Sequence, residues 1–302
     1  MTPRIDELAS YMKKRQNVLL LRQCNRQPPW TADPILHHGR FCNVFREDDR
    51  VTIWIEENIR KPYANHPNLW FMLCIARYIN WPPTLQFLIN QQRWPDNPDF
   101  HPINITFGLE ELAKTGTKVY TGAYMIRAES NEKAEWYKWT KHKYIAEIVL
   151  GRLWEDKEDW QRVVESKPTL EEVWLKFQAP RYIGWGPFMA YEVVTDLRHT
   201  RYLNGARDIM TWANAGPGAI RGLNKMYGRE LSAKPKPSQT NQEMYIIQEE
   251  MNAHPELWPE DWSQLEMRDV EHNLCEFSKY ERVRLGEGHM RSNYQPSKAE
   301  PL

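Results

Sequence analysis

The chain is 302 residues long and carries 40 basic and 40 acidic side chains, so its formal net charge is zero. That length supports one large domain or two small ones around a sizeable core. The charge balance excludes a uniformly basic coat for nucleic acid but leaves room for a local basic groove.

Helical periodicity dominates the sequence. Arg4 to Arg22 reads as a first helix, with Leu8, Tyr11, Met12 and Val18 to Leu21 on its apolar side. Residues 24–34, with Pro28, Pro29 and Pro34, form a connector. Asp48 to Arg60 is predicted helical up to Pro62, and the apolar run Asn68 to Tyr78 predicts a buried helix. Trp81-Pro82-Pro83 breaks that helix, and Thr84 is placed to cap the next. Residues 93–105 read as a proline-rich loop, Phe107 to Thr115 as a short helix, and Val119 to Ile126 as a strand or extended segment. A long helix is expected from Glu132 to Trp154. Another runs from Thr169 to Phe177, capped by Thr169 with Glu171 and Glu172 in its first turn. Arg207 to Trp212 is a short element, residues 230–241 a linker, and Asn241 to His254 and Ser263 to Arg282 helices. The expected fold is mainly α. It forms a single domain over 1–302, divisible into lobes of about 1–130 and 131–285, with a flexible tail at 286–302.

Four stretches concentrate chemistry-bearing residues. Gly39 to Arg50 sets Arg40, Asn43, Arg46, Asp49 and Arg50 around Phe41, Val44 and Phe45. Arginine offers a planar fork to phosphate, and asparagine can read a base edge. A helix N-terminus with buried aromatics and a solvated charge cluster explains the stretch equally well. Gly184-Trp185-Gly186 runs straight into a small-residue, apolar-faced helix, and Asp208 follows 22 residues after Gly186. Glycines there let backbone N–H groups at a helix N-terminus point at a phosphate. Helix-hairpin-helix proteins of the DNA glycosylase type are built this way, with an acidic residue one helix further on facing an extruded base. The plainer reading is a tight turn between helices.

The third stretch, Trp212 to Asn224, holds Gly216 and Gly218 ahead of Arg221 and Lys225. It suits either a phosphate cradle or a helix–turn–helix corner. It lacks the G-K-[ST] ending of a P-loop, so it is not an ATP site of that kind. The fourth, Asp269 to Arg282, pairs Glu271 with Cys275 and His272 with Glu276 at i,i+4 spacing, with Lys279 and Tyr280 within reach of Glu276. His272 and Glu276 make half a metal site, but the sequence offers no third ligand and no metal is expected. Cys275 reads more readily as a buried inert thiol than as a nucleophile.

Cysteines at 24, 42, 74 and 275 form no C-x-x-C pair. Their wide spacing points to reduced thiols and a cytoplasmic protein. No run of 18 apolar residues occurs, and Met1 to Arg15 is polar, so neither a membrane partner nor a signal peptide is expected. Most of the 14 tryptophans are expected in the core.

Five strings carry a family resemblance: R-F-C-N-V-F-R-E-D-D-R at 40–50, G-A-Y-M-I-R at 122–127, G-W-G-P-F-M-A-Y-E-V-V-T-D-L at 184–197, G-P-G-A-I-R-G-L at 216–223 and L-C-E-F-S-K-Y-E-R at 274–282. Together they resemble phage thymidine-hypermodification proteins. These are the alpha-glutamyl/putrescinyl-thymine pyrophosphorylases, or amino acid:DNA transferases, and related helical domains occur in the 5-hydroxymethyluracil DNA kinase group. The resemblance implies a fold similar to DNA glycosylases. It also implies two partners: double-stranded DNA containing phosphorylated 5-hydroxymethyluracil, and a free amino acid or polyamine that displaces phosphate or pyrophosphate. For a phage protein the compartment is the cytoplasm of the infected host.

No cofactor is expected. Residue type and spacing then suggest roles. Asp208 is the first choice of general base and Glu276 the second. Arg40, Arg46, Arg221 and Lys225 would neutralise the leaving phosphate. Asn43 or Tyr191 would hold the extruded base. Gly184, Trp185, Gly186, Gly216 and Gly218 would meet the DNA backbone. A 5-hydroxymethyluracil DNA kinase, a true DNA glycosylase and a catalytically silent DNA-binding module are the rival readings.

Overall fold

Helix α1 (Ile5–Gln23) opens the computed structural model, which describes residues 3–122, 133–290 and 293–294. Asp6 and Glu7 in its first turn and Arg22 in its last complement the helix dipole. Six later helices begin on a proline at one of their first two positions: α2 (Pro34–His38), α5 (Pro82–Asn90), α6 (Pro102–Lys114), α11 (Pro187–Leu197), α12 (Pro217–Met226) and α13 (Pro237–Ala253). Proline fits there because its missing N–H would have no intrahelical acceptor. The remaining helices are α3 (Arg50–Ile55), α4 (Leu69–Ile79), α7 (Lys141–Lys143), α8 (Gly151–Glu155), α9 (Lys157–Glu165), α10 (Leu170–Phe177) and α14 (Met267–Arg284). Wide turns of helix at Glu56–Arg60 and Tyr144–Leu150 extend α3 and join α7 to α8. Among the described residues, β pairing amounts to an isolated antiparallel bridge between Gly39 and Asn293. The mainly α reading therefore holds.

Several boundaries differ from expectation. Thr84 does not cap α5; the helix starts at Pro82, and the Thr84 hydroxyl donates to the Val119 carbonyl at 2.8 Å. α6 and α13 start within stretches read as loop and linker. The long helix expected from Glu132 begins only after Thr140, whose hydroxyl caps α7, and residues 135–138 form a separate tight turn. Residues 207–211 form turns. The expected strand at 119–126 and the string at 122–127 fall largely outside the described residues, as does the end of the expected tail beyond 294. α10 follows prediction: Thr169 and Glu172 cap each other reciprocally.

The chain divides into two units. One is continuous, Val51–Arg207; the other is assembled from Met1–Arg50 and Asp208–Leu302. In the continuous unit every residue of α4 is buried. Trp70 stacks on Trp160 at 5.5 Å, Trp160 meets Phe177 at 4.4 Å, and Trp185 contacts Phe177 and Tyr78 at 4.9 and 5.2 Å. Aromatic pairs of this kind contribute about 0.5–1.5 kcal/mol each beyond the area they bury. Arg77 on α4 forms a fully buried two-point ion pair with Asp196 on α11, and its Nη2 also donates to the Thr52 hydroxyl at 2.9 Å.

In the discontinuous unit α12 lies against α14 with almost no gap. A Cβ on Gly218 would stand 2.2 Å from the Cys275 sulfur, and one on Gly222 would stand 2.3 Å from the Leu274 carbonyl oxygen. These glycines let the two helices approach. Tyr11 of α1 packs against Phe41, Phe277 and Tyr280, with ring centroids 6.0, 5.8 and 5.1 Å apart.

Candidate functional site

The discontinuous unit brings together the two stretches richest in chemistry, 39–50 and 269–282. Residues 41–44 run between α1 and α14, and side chains satisfy their backbone groups. Arg15 donates through Nε to the Cys42 carbonyl at 2.9 Å. The Cys42 N–H donates to Glu276 Oε2 at 3.1 Å, the Asn43 N–H donates to Asp49 Oδ1 at 3.2 Å, and Asn273 donates to the Val44 carbonyl at 2.9 Å. His272 Nε2 lies 3.2 Å from the Asn43 carbonyl oxygen and donates to it in the matching tautomer. Side chains thus brace a segment without regular structure by bonding its backbone groups.

This bracing sets donor groups at graded depth. Cys42 is exposed, Asp49 and His272 are half-buried, and their ligand atoms lie within 4.8 Å of one another. Tyr11, Arg15 and Glu276 are buried at 2%, 8% and 5% exposure. Glu276 Oε1 pairs with Lys279 Nζ at 2.6 Å. Two atoms in this buried layer, the Tyr11 hydroxyl and Arg15 Nη1, have no hydrogen-bond partner among the described residues. Buried polar atoms are ordinarily satisfied, and these two lie beside the charged Glu276–Lys279 pair. Burial, and after it the Glu276 carboxylate, holds the Tyr11 phenol well above its usual range. The same two causes push the Cys275 thiol up to about 12; Cys42 is exposed as a residue, but its sulfur is enclosed and its thiol is raised as well. Neither sulfur is activated as a free nucleophile.

Beside the cluster an open cleft of about 420 Å³ is lined by Phe45, Glu47, Asp48, Asp261, Trp262 and Asp269, among others. Glu47 pairs with Arg268, which also bonds Glu266. Asp269 is fully buried, and burial, opposed by Arg268, pushes its carboxyl up to about 7. The cleft is acidic, with Trp262 supplying an aromatic wall.

The other sequence candidates are placed as follows. Asn43 joins the cluster, but its side chain bonds Arg15 and the Asp48 carbonyl and acts as a brace. Arg40 and Arg221 are exposed, Arg46 is half-buried, and Arg221 is close enough to act on the Cys275 thiol. Lys225 is buried in an ion pair with Glu287. The Gly216 N–H donates to Glu271 Oε1 at 3.0 Å, so the N-terminus of α12 already meets a carboxylate. Gly218 is a helix contact. Asp208 is buried in this unit at 9% exposure. Gly184, Trp185, Gly186 and Tyr191 belong to the continuous unit. Gly184 has φ +86° and a Cβ there would meet Val149, so the turn requires glycine. Trp185 is 2% exposed and donates to the Val149 carbonyl, which makes it core; Tyr191 is also buried. Sequence reasoning missed Tyr11 and Arg15, which read as ordinary helix residues, and Cys42, whose only signal was its place in the arginine-rich stretch.

The family model of the 5-hmdU DNA kinase helical domain matches residues 2–290. A 5-hmdU DNA kinase of Bacillus phage SP10 is 27% identical over 233 residues, which cover 71% of this chain and 34% of that protein. The chain thus spans about a third of the length of the curated relative it matches. No solved structure matches it. Among the described residues no helix is long and apolar enough to cross a membrane. The match over 2–290 covers nearly the whole chain, which therefore belongs to the family of 5-hmdU DNA kinase helical domains.

Proposed function

We propose that this chain takes part in phage modification of 5-hydroxymethyluracil in DNA, as the transferase that replaces a phosphate or pyrophosphate on the hydroxymethyl group with an amine. The observation that carries this reading is the buried group of Tyr11, Arg15 and Glu276, paired with the half-exposed Lys279, under the exposed Cys42 and next to an acidic cleft. An acidic, aromatic-walled cleft suits an ammonium-bearing donor, because carboxylates and an indole face both attract a cation.

In the reaction the amine nitrogen attacks the exocyclic methylene carbon. The carbon–oxygen bond to the phosphate breaks, and the phosphate leaves with the electron pair. A proton passes from the amine to a carboxylate, for which Glu276 and Asp208 are the candidates. Arg40, Arg46 and Arg221 are candidates to neutralise the departing charge. The target nucleotide must leave the base stack for the amine to reach it.

The second reading, supported by the family name and the phage SP10 relative, makes the chain the helical part of a kinase that phosphorylates the same hydroxymethyl group. The absence of G-x-x-x-x-G-K-[ST] from this sequence favours the transferase for this chain taken alone. Incubation with DNA carrying phosphorylated 5-hydroxymethyluracil and a mixture of amino acids and polyamines, followed by nucleoside mass analysis, separates the two. A nucleoside in which an amine has replaced the phosphate establishes the transferase. Unchanged nucleosides, with phosphate transfer from ATP to unphosphorylated DNA, establish the kinase reading, and a freed base would make the chain a glycosylase.

A further inference from the structure

The geometry points to a divalent transition-metal site of the zinc class formed by Cys42 Sγ, an Asp49 carboxylate oxygen and a His272 ring nitrogen. This inference does not depend on the transferase reading. The ligand atoms of the three residues lie within 4.8 Å of one another. A tetrahedral zinc ion holds thiolate, imidazole and carboxylate donors at about 2.0–2.3 Å. Modest rotations of the three side chains would therefore close the cluster on an ion. The donor set selects the metal class: thiolate with imidazole suits zinc and its neighbours, whereas magnesium and calcium take oxygen donors. Three protein donors leave one position open for water or a substrate oxygen, the pattern of a catalytic rather than a structural centre.

What distinguishes this trio from a chance surface cluster is its support. Asn43 organises all three donors. It follows Cys42 directly in the chain, its N–H donates to Asp49 Oδ1 at 3.2 Å, and its carbonyl oxygen lies 3.2 Å from His272 Nε2. Asn43 is itself anchored, its Oδ1 by Arg15 and its Nδ2 to the Asp48 carbonyl at 2.7 Å. A histidine ligand ordinarily donates its second ring N–H to a carbonyl or carboxylate, which fixes the ring and its tautomer. The Nε2 contact of His272 with the Asn43 carbonyl orients the ring. The Cys42 N–H is held by Glu276 Oε2, so the backbone that carries the sulfur is fixed from the opposite side. The neighbouring Tyr11 hydroxyl and Arg15 Nη1, buried and without partners, supply polar groups beside the centre. The sequence hides the site because its first two donors belong to an early stretch of the chain and its third to a late one.

The test uses the full chain, free of any histidine tag and stripped with a chelator. Titration with Co²⁺ is expected to give thiolate-to-cobalt charge-transfer absorption that saturates at one ion per chain and is displaced by Zn²⁺. Cys42→Ser should abolish the thiolate band, while Cys24→Ser leaves it unchanged. Asp49→Asn and His272→Gln should weaken Zn²⁺ binding at least as much as the roughly 10–100-fold known for loss of an outer partner. If Cys42→Ser fails to fold, the wild-type protein still decides the matter: Zn²⁺ should protect Cys42, and not Cys24, from alkylation mapped by mass spectrometry. A folded wild-type chain with no thiolate band and no protection of Cys42 would overturn the assignment. So would a band that persists in a folded Cys42→Ser.

Discussion

Two buried arginines, one in each unit, are met in different ways. In the continuous unit Arg77 meets Asp196 at two points and Thr52 at a third, and the group joins α3, α4 and α11. In the discontinuous unit Arg15 and Tyr11 are also buried, yet Arg15 Nη1 and the Tyr11 hydroxyl are left without partners. A satisfied buried pair holds helices in register. An unsatisfied one is costly unless something else binds there. Arg77 is thus bound to its own unit's core, whereas Arg15 keeps one nitrogen unpaired beside the candidate cluster.

Mutations can break that contrast or sharpen it. The largest effect is expected from Arg77→Leu, which leaves Asp196 buried and uncompensated. Removing one partner of a buried pair costs about 3–5 kcal/mol, and urea unfolding should show it as a lower midpoint. An unchanged midpoint would mean that this pair is not structural. Glu276→Gln keeps an oxygen for the Cys42 N–H but breaks the pair with the half-exposed Lys279, so a smaller loss of urea midpoint should accompany a fall in amine transfer of about 10²–10⁴-fold, the range for a general base. A lower urea midpoint with turnover of the folded variant retained would place Glu276 with Asp196 as scaffold.

A smaller effect concerns pH. Asp269 titrates near 7 in the folded chain, against about 4 when unfolded. Its stabilising contribution is complete below about pH 4 and is lost as pH rises through 7, because the folded state binds the extra proton in that window. Asp269→Asn removes this titration while keeping an oxygen to accept the Glu266 N–H. Its urea midpoint should therefore vary less than wild type between pH 4 and 7, and parallel profiles would refute the raised value. The smallest effect is Tyr11→Phe. Deleting a buried hydroxyl that bonds nothing should change stability by less than about 1 kcal/mol, or raise it. A clear drop in the urea midpoint, beyond that bound, would show that the hydroxyl has a structural partner.

Much of the fold was legible where local rules act alone. α10 announces itself through Thr169 and Glu172, and α4 through an unbroken apolar run. Errors cluster at proline. Pro82, Pro102 and Pro237 read as loop signals, yet each starts a helix, since proline interrupts a helix interior but suits its first turn. The site was half legible. Both stretches that build it stood out by composition, but their meeting did not, because no local rule reports contact between segments so far apart in the chain. Gly218 shows the same limit: its sequence context suits a phosphate cradle or a helix corner, and only the fold shows that it lies inside α12, where a Cβ would meet Cys275 of α14.

The division of the chain sets an order of events during synthesis. Residues 51–207 emerge from the ribosome as an uninterrupted stretch and carry their own aromatic core. Cys42 and Asp49 emerge earlier still, yet they must wait for α14, translated only after that whole unit, before His272 and Glu276 can reach them. Until then the apolar side of α1 has no cover from Phe277 or Tyr280. A nascent chain halted before α14 would present that side to chaperones and proteases. The cluster with the candidate chemistry is thus completed late, after the continuous unit has had time to fold.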